Sequence, residues 1–195
     1  SLVYMMAAVN PTISQVVYRS DATQHPRRSN TGGLAGKYYA TRILDFNISL
    51  ELPIAYLKEP LIRHRLHGTN QNLVASDDLM EAIGFYVLNI QFADKAIETG
   101  FIELQNNFGR SVEKVSELCL RYSLRSLISG DHDLAKRYFH LSHAFKLDQS
   151  QNDFAKDLDR IFQNLDQPDI SKEIEVVAKG DGRIKRMNSY EPPEP

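Results

Sequence analysis

Ser76-Asp77-Asp78-Leu79-Met80-Glu81-Ala82-Ile83 opens the stretch whose reading decides the fold. A serine hydroxyl can accept a hydrogen bond from a backbone N–H that the first helical turn leaves over. Two aspartates beside it put negative charge where the helix dipole favours it. Leu79, Ile83, Val87, Ile90 and Ile97 then recur at helical spacing, and Gly100 suits the left-handed residue that ends a helix. The pattern predicts a helix over 76–100.

The same period continues towards the C-terminus. Val112, Val115, Cys119 and Tyr122 share a face over 111–129, which stops at Gly130. Leu134, Tyr138, Leu141 and Phe145 do so over 133–147. Phe154, Leu158, Ile161, Phe162 and Leu165 follow over 152–165, where Pro168 prevents continuation. A short helix is predicted over 171–178, and 101–108 reads as a short helix or a packed connector. The tail from Lys179, ending Glu191-Pro192-Pro193-Glu194-Pro195, has little apolar content and reads as disordered or partner-held.

Towards the N-terminus the texture changes. Thr12-Ile13-Ser14-Gln15-Val16-Val17-Tyr18-Arg19 is β-branched and partly alternating, which predicts a strand. Residues 20–36 are rich in Pro, Arg, Ser, Asn and Gly and read as a loop. Tyr38, Ile43, Phe46 and Leu50 sit near helical spacing, so 37–50 leans to helix. Pro53–Leu57 and Leu61–Arg65 read as two short strands. The expected fold class is therefore α+β, mainly α: a small β-containing N-terminal part over 1–75, a helical bundle or hairpin array over 76–178, and a flexible tail over 179–195.

Composition narrows the classes. In 195 residues, 42% hydrophobic and 25% charged is ordinary globular usage. Lys and Arg number 23 against 25 Asp and Glu, a formal net charge of −2, which argues against a dedicated nucleic-acid binder. A single cysteine, Cys119, excludes a disulfide framework and a cysteine-based zinc site. No apolar run reaches the roughly 18 residues a membrane span needs, and Ser1 opens no signal-peptide pattern. A cytoplasmic chain is expected.

The stretch Pro53-Ile54-Ala55-Tyr56-Leu57-Lys58-Glu59-Pro60-Leu61-Ile62-Arg63-His64-Arg65-Leu66-His67-Gly68-Thr69-Asn70-Gln71 resembles the closing segment of family 2 glycosyltransferases of the GT-A fold. Glu59-Pro60-Leu61 stands for one piece of that segment and Arg65-Leu66-His67-Gly68-Thr69-Asn70 for the next. Upstream, Gly32-Gly33-Leu34 stands for the family's Gly-Gly-aromatic turn, followed by Asp45 where the family has an acidic pair. The resemblance spans about residues 10–75 and implies transfer of a sugar from a nucleotide-sugar donor to a glycan or lipid-linked acceptor. It implies Asp45 as catalytic base, Arg65 and Asn70 as substrate-binding residues and His67 as a metal ligand. It also implies Mg²⁺ or Mn²⁺ in the intact enzyme, with none held tightly by this chain alone. Such chemistry needs a carboxylate within reach of the acceptor hydroxyl and positive charge against the departing diphosphate. Two features depart from the family: Leu44 precedes Asp45, and no Asp-x-Asp pair lies in 1–60. The chain then corresponds to a C-terminal fragment, inactive alone.

Plainer readings stand beside these. Asp45 reads equally as a helix-surface or capping residue, His67 as a turn histidine bonded to backbone, and Arg63 and His64 as the solvated face of an edge strand. Arg27 and Arg28 read as a solvated turn.

Gly130-Asp131-His132-Asp133-Leu134-Ala135, with Phe139 and Ser142 beyond and Ser123 before, resembles one tetratricopeptide-type helical hairpin. An antiparallel helical hairpin of no particular family fits these residues too. The hairpin suggests the alternative function, a non-catalytic interaction or self-association module with a protein partner or a second copy. His132, His140 and His143 have no further ligand placed by spacing, and Cys119 reads as a small core residue.

Overall fold

The computed structural model describes residues 33–52, 79–100 and 107–180. Six helices occupy them: α1 Gly33–Glu51, α2 Met80–Thr99, α3 Phe108–Ile128, α4 His132–Phe145, α5 Asp153–Gln163 and α6 Ile170–Gly180. The described part is 82% helical and contains no strand, which corrects the expected α+β class to all-α. The physical reason is that its apolar residues recur at i, i+3 and i+4, and the helices cover one another's apolar faces without a sheet. The segments expected as strands, 12–19, 53–57 and 61–65, lie outside the described residues. No helix among the described residues is long and apolar enough to cross a membrane. The chain divides into two compact units between Val115 and Ser116.

In the first unit α1 lies against α2. The helix is kinked at Tyr39 (φ −131°, ψ 26°). The Tyr39 hydroxyl donates to the Glu81 carbonyl at 3.1 Å, and its ring meets Phe85 at 5.4 Å. Seven residues further along α1, Phe46 stacks on Phe92 with centroids 3.9 Å apart and planes 10° apart. Contacts thus advance in the same sense along both helices, so they run parallel, an arrangement that a short hairpin loop does not give. The buried face of α2 is Ala82, Phe85, Leu88, Phe92 and Ala96, whereas Ile97 is 58% exposed. This differs from the expected stripe. α2 is apolar nearly all round, and the bulky aromatic rings decide which side goes in. Its start also differs, since Leu79 precedes the first turn with no side-chain cap and Ser76 lies outside the described residues. Gly100 ends it in the left-handed conformation (φ +77°).

The second unit is an antiparallel hairpin, α3–α4, followed by α5 and α6. The turn between α3 and α4 is compact. The Gly130 N–H bonds the Leu127 carbonyl at 3.1 Å, and the Asp131 N–H bonds the Ser126 carbonyl at 2.9 Å. Asp131 then caps α4, accepting from the Leu134 N–H at 2.9 Å. Small residues face each other across the pair. Ser123 donates to the Ala135 carbonyl at 2.8 Å and Ser116 to the Ser142 carbonyl at 2.9 Å. A core of Leu120, Leu124, Leu127, Ala135, Phe139, Ala155, Leu158, Ile161, Ile174 and Val177 joins α3, α4, α5 and α6. Arg160 ties α5 to α6 through Glu173.

Two substitutions separate backbone from packing here. Gly130 has φ +82° with nothing within 4 Å of an added Cβ, so Gly130→Ala should cost only the left-handed backbone term, about 1–2 kcal/mol. Leu158→Ala removes a fully buried side chain and should cost about 2–5 kcal/mol. Urea unfolding followed by circular dichroism measures both, and equal losses would contradict this account of the turn.

Candidate functional site

Of the residues to which the resemblance assigns a role, Asp45 is described, while Arg65, His67 and Asn70 lie outside the described residues. Asp45 is buried on α1, 6% exposed, near Arg42, which is itself buried, with its guanidinium carbon 4.7 Å from the centre of the Phe85 ring. Burial pushes the Arg42 guanidinium down to about 10, against the opposing pull of Tyr39 and Asp45. That value still leaves it charged at neutral pH. A buried cation of this kind requires a nearby carboxylate, because an uncompensated charge in the interior is costly. Glu81 of α2 and Ser49 of α1 are buried in the same unit.

Asn89, fully buried on α2, has no hydrogen-bond partner for either amide atom. It lies one turn from Phe85 and three residues before Phe92, between the ring contacts that bind α2 to α1.

The second unit carries a cleft of about 440 Å³. Glu117 and Arg121 of α3 form one wall, Lys146 and Asp148 of the α4–α5 connection another, and Asp153 and Phe154 open α5 beside them. One buried side chain holds the connection in place. Gln149, 7% exposed, donates to the Ser116 hydroxyl at 2.8 Å and accepts from the Asn152 amide at 3.2 Å. Asn152 in turn caps α5, accepting from the Ala155 N–H at 3.3 Å. Asp148 accepts from the Ser150 N–H at 2.9 Å, and hydrogen bonding from Ser150 holds its carboxyl below the usual range. The cleft thus has charges of both signs on a rigid frame.

Among the described residues, His132, His140 and His143 do not converge on a common ligand. The His143 ring packs on Phe139 at 4.6 Å, with Nδ1 3.0 Å from the Phe139 carbonyl, while His132 and His140 lie on exposed positions of α4. Among the described residues no three His, Cys, Asp or Glu side chains are grouped to hold a metal. Cys119 is buried, and burial pushes its thiol up to about 12.

Asn89 and Gln149 were not singled out by sequence reasoning. For Asn89 a signal existed, an amide one turn beyond Phe85 and three residues before Phe92, on the side of the helix that carries those rings. For Gln149 there was none, because a glutamine in a polar connection looks solvated.

Two measurements follow from this geometry. Gln149→Ala leaves the Ser116 hydroxyl and the Asn152 amide each short of a partner, and should cost about 1–3 kcal/mol in urea unfolding. The Cys119 thiol ionises near 12 when folded and near 9.0 in its ordinary state. Below pH 9 both states keep the proton. As pH rises towards 12 only the unfolded chain releases it, so stability should fall by up to about 1.4 kcal/mol per pH unit. Cys119→Ala should remove that part of the slope; an unchanged slope would contradict the burial.

No protein family, curated protein or solved structure matches this chain.

Proposed function

We propose that this chain is the C-terminal part of a family 2-like glycosyltransferase, inactive alone, in which residues 59–70 line the acceptor side of a sugar-transfer cleft and a helical region over 76–178 is appended. The observation that carries this reading is the pair Glu59-Pro60-Leu61 and Arg65-Leu66-His67-Gly68-Thr69-Asn70, at the spacing found where such domains close. In it Arg65 offers a fork of donors to phosphate or carboxylate, Asn70 holds substrate, and His67 completes a metal site. A divalent cation, Mg²⁺ or Mn²⁺, would supply charge against the departing nucleotide diphosphate. A base must reach the acceptor hydroxyl, and Asp45, buried near Arg42, balances that cation in the described arrangement. The donor-binding half belongs to another part of the enzyme, and a cytoplasmic site of action goes with this reading.

A second reading is favoured by the cleft of the helical unit, whose mixed charges and Phe154 suit a polypeptide segment. On it the chain is an interaction or self-association module with no part in sugar transfer.

Calorimetry with uridine and guanosine diphosphate sugars plus Mn²⁺ tests the division of labour. The expected outcome is no micromolar binding, with a glycan acceptor perturbing amide resonances of residues 59–71. A micromolar constant would place the donor site in this chain and overturn the proposal. Acceptor-induced shifts absent from 59–71, together with a concentration-dependent mass in light scattering, would favour the second reading.

A further inference from the structure

Helices α5 and α6 return the chain to the cleft of the second unit. Arg160 pairs with Glu173 across them. Asp153 lies seven residues before the one and Gly180 seven residues after the other, about 10 Å along each axis. Ala155 and Ala178, close to those two ends, are buried in one core. The end of α6 is therefore level with the start of α5, where Asn152, Asp153 and Phe154 line the cleft. The sequence continues from there as Asp181-Gly182-Arg183-Ile184-Lys185-Arg186. At about 3.3 Å per extended residue, Arg183 can reach about 10 Å from Gly180 and Arg186 about 20 Å, more than the spacing of two packed helices, about 8–10 Å.

This stretch complements the cleft. Glu117, Asp148 and Asp153 bring three carboxylates to it, against the two cations Arg121 and Lys146. Hydrogen bonding from Ser150 favours the anionic form of Asp148. Asp153 pairs with Lys156 at 3.1 Å where both side chains are largely exposed, a kind of contact that is worth little and readily exchanged. Residues 183–186 set three cations around Ile184. Leu147, 87% exposed, is the most exposed large apolar side chain among the described residues, and both its neighbours, Lys146 and Asp148, line the cleft. An excess of one carboxylate attracts only weakly, so cover over Leu147 and Phe154 has to contribute as well.

We propose that residues 183–186 of this chain's own C-terminal tail occupy the cleft, with Arg183, Lys185 and Arg186 on its carboxylates and Ile184 over Phe154 and Leu147. Only Asp181 and Gly182 separate α6 from Arg183, so the local concentration of the segment is on the order of millimolar. A contact too weak to hold a separate peptide is then filled within one chain. An outside segment has to displace the tail before it can bind. The proposal rests on the reading of the cleft as a seat for polypeptide and is independent of the sugar-transfer reading.

A nitroxide on Ser189→Cys in the whole chain tests this by nuclear magnetic resonance, since the buried Cys119 stays unlabelled. The label should broaden amides of 146–154 and spare those of 132–137, at the opposite end of α4. Reversing Arg183, Lys185 and Arg186 to Glu together should lower the docking equilibrium about tenfold and the broadening with it. Ile184→Ser should weaken it too, as should an ionic strength of about 1 M, where the screening length falls to about 3 Å. Broadening that is equal in the two regions, or that survives the charge reversal, overturns the proposal. So does broadening that appears only when labelled chains are mixed with isotope-enriched unlabelled ones, which makes the occupant a second copy. A synthetic peptide of residues 181–190 that shifts 146–154, in a chain whose own tail leaves them unbroadened, overturns the tail's docking and leaves the polypeptide reading standing. Silence in both experiments removes both.

Discussion

The close approach of α3 and α4 is the constraint on which the second unit depends. Ser123 and Ser116 each reach across to a carbonyl of α4, which only small side chains at the contact allow. That spacing brings Leu120 and Leu124 level with Phe139 and leaves a groove into which Leu158 and Ile161 of α5 can pack. It also puts the Ser116 hydroxyl where Gln149 can bond it, so the same contact that sets the helix distance anchors the connection to α5. A larger residue at Ser116 or Ser123 would push apart the core and the cleft wall together.

The first unit obeys other rules. Its pairing is directional: a tyrosine hydroxyl on a carbonyl, a guanidinium over a ring and a stacked pair of rings each require one relative placement of α1 and α2. Apolar packing alone tolerates sliding, whereas buried polar contacts penalise it, so such layers serve register better than they serve stability. The enclosed amide of Asn89 belongs to this economy, since nothing in the described pair uses it.

Much of the helical part was legible because period and punctuation agreed. Gly130 and Asp131 mark a turn by their backbone needs, Pro168 stops a helix, and the stripes of α3, α4 and α5 have polar backs that leave one face to bury. The buried side of α2 was not legible, because isoleucines and valines surround the aromatic residues and the period has no clear phase. The α+β expectation came from the runs 12–19, 53–57 and 61–65, all outside the described residues, so the helices that are described decide the class. For Asp45, the resemblance marks a position along the chain but carries no information on its neighbours. Arg42, three residues earlier, is what changes its chemistry, and a motif scan passes over it.

Parallel packing of α1 and α2 also fixes how far the end of one helix lies from the start of the other. Tyr39 bonds the start of α2 at Glu81, so the start of α2 is level with the middle of α1. The end of α1 at Glu51 lies about 18 Å further on, at about 1.5 Å of rise per residue. The end of α1 and the start of α2 are therefore well apart, and the register of the two helices rests on their side-chain contacts and not on a tight turn.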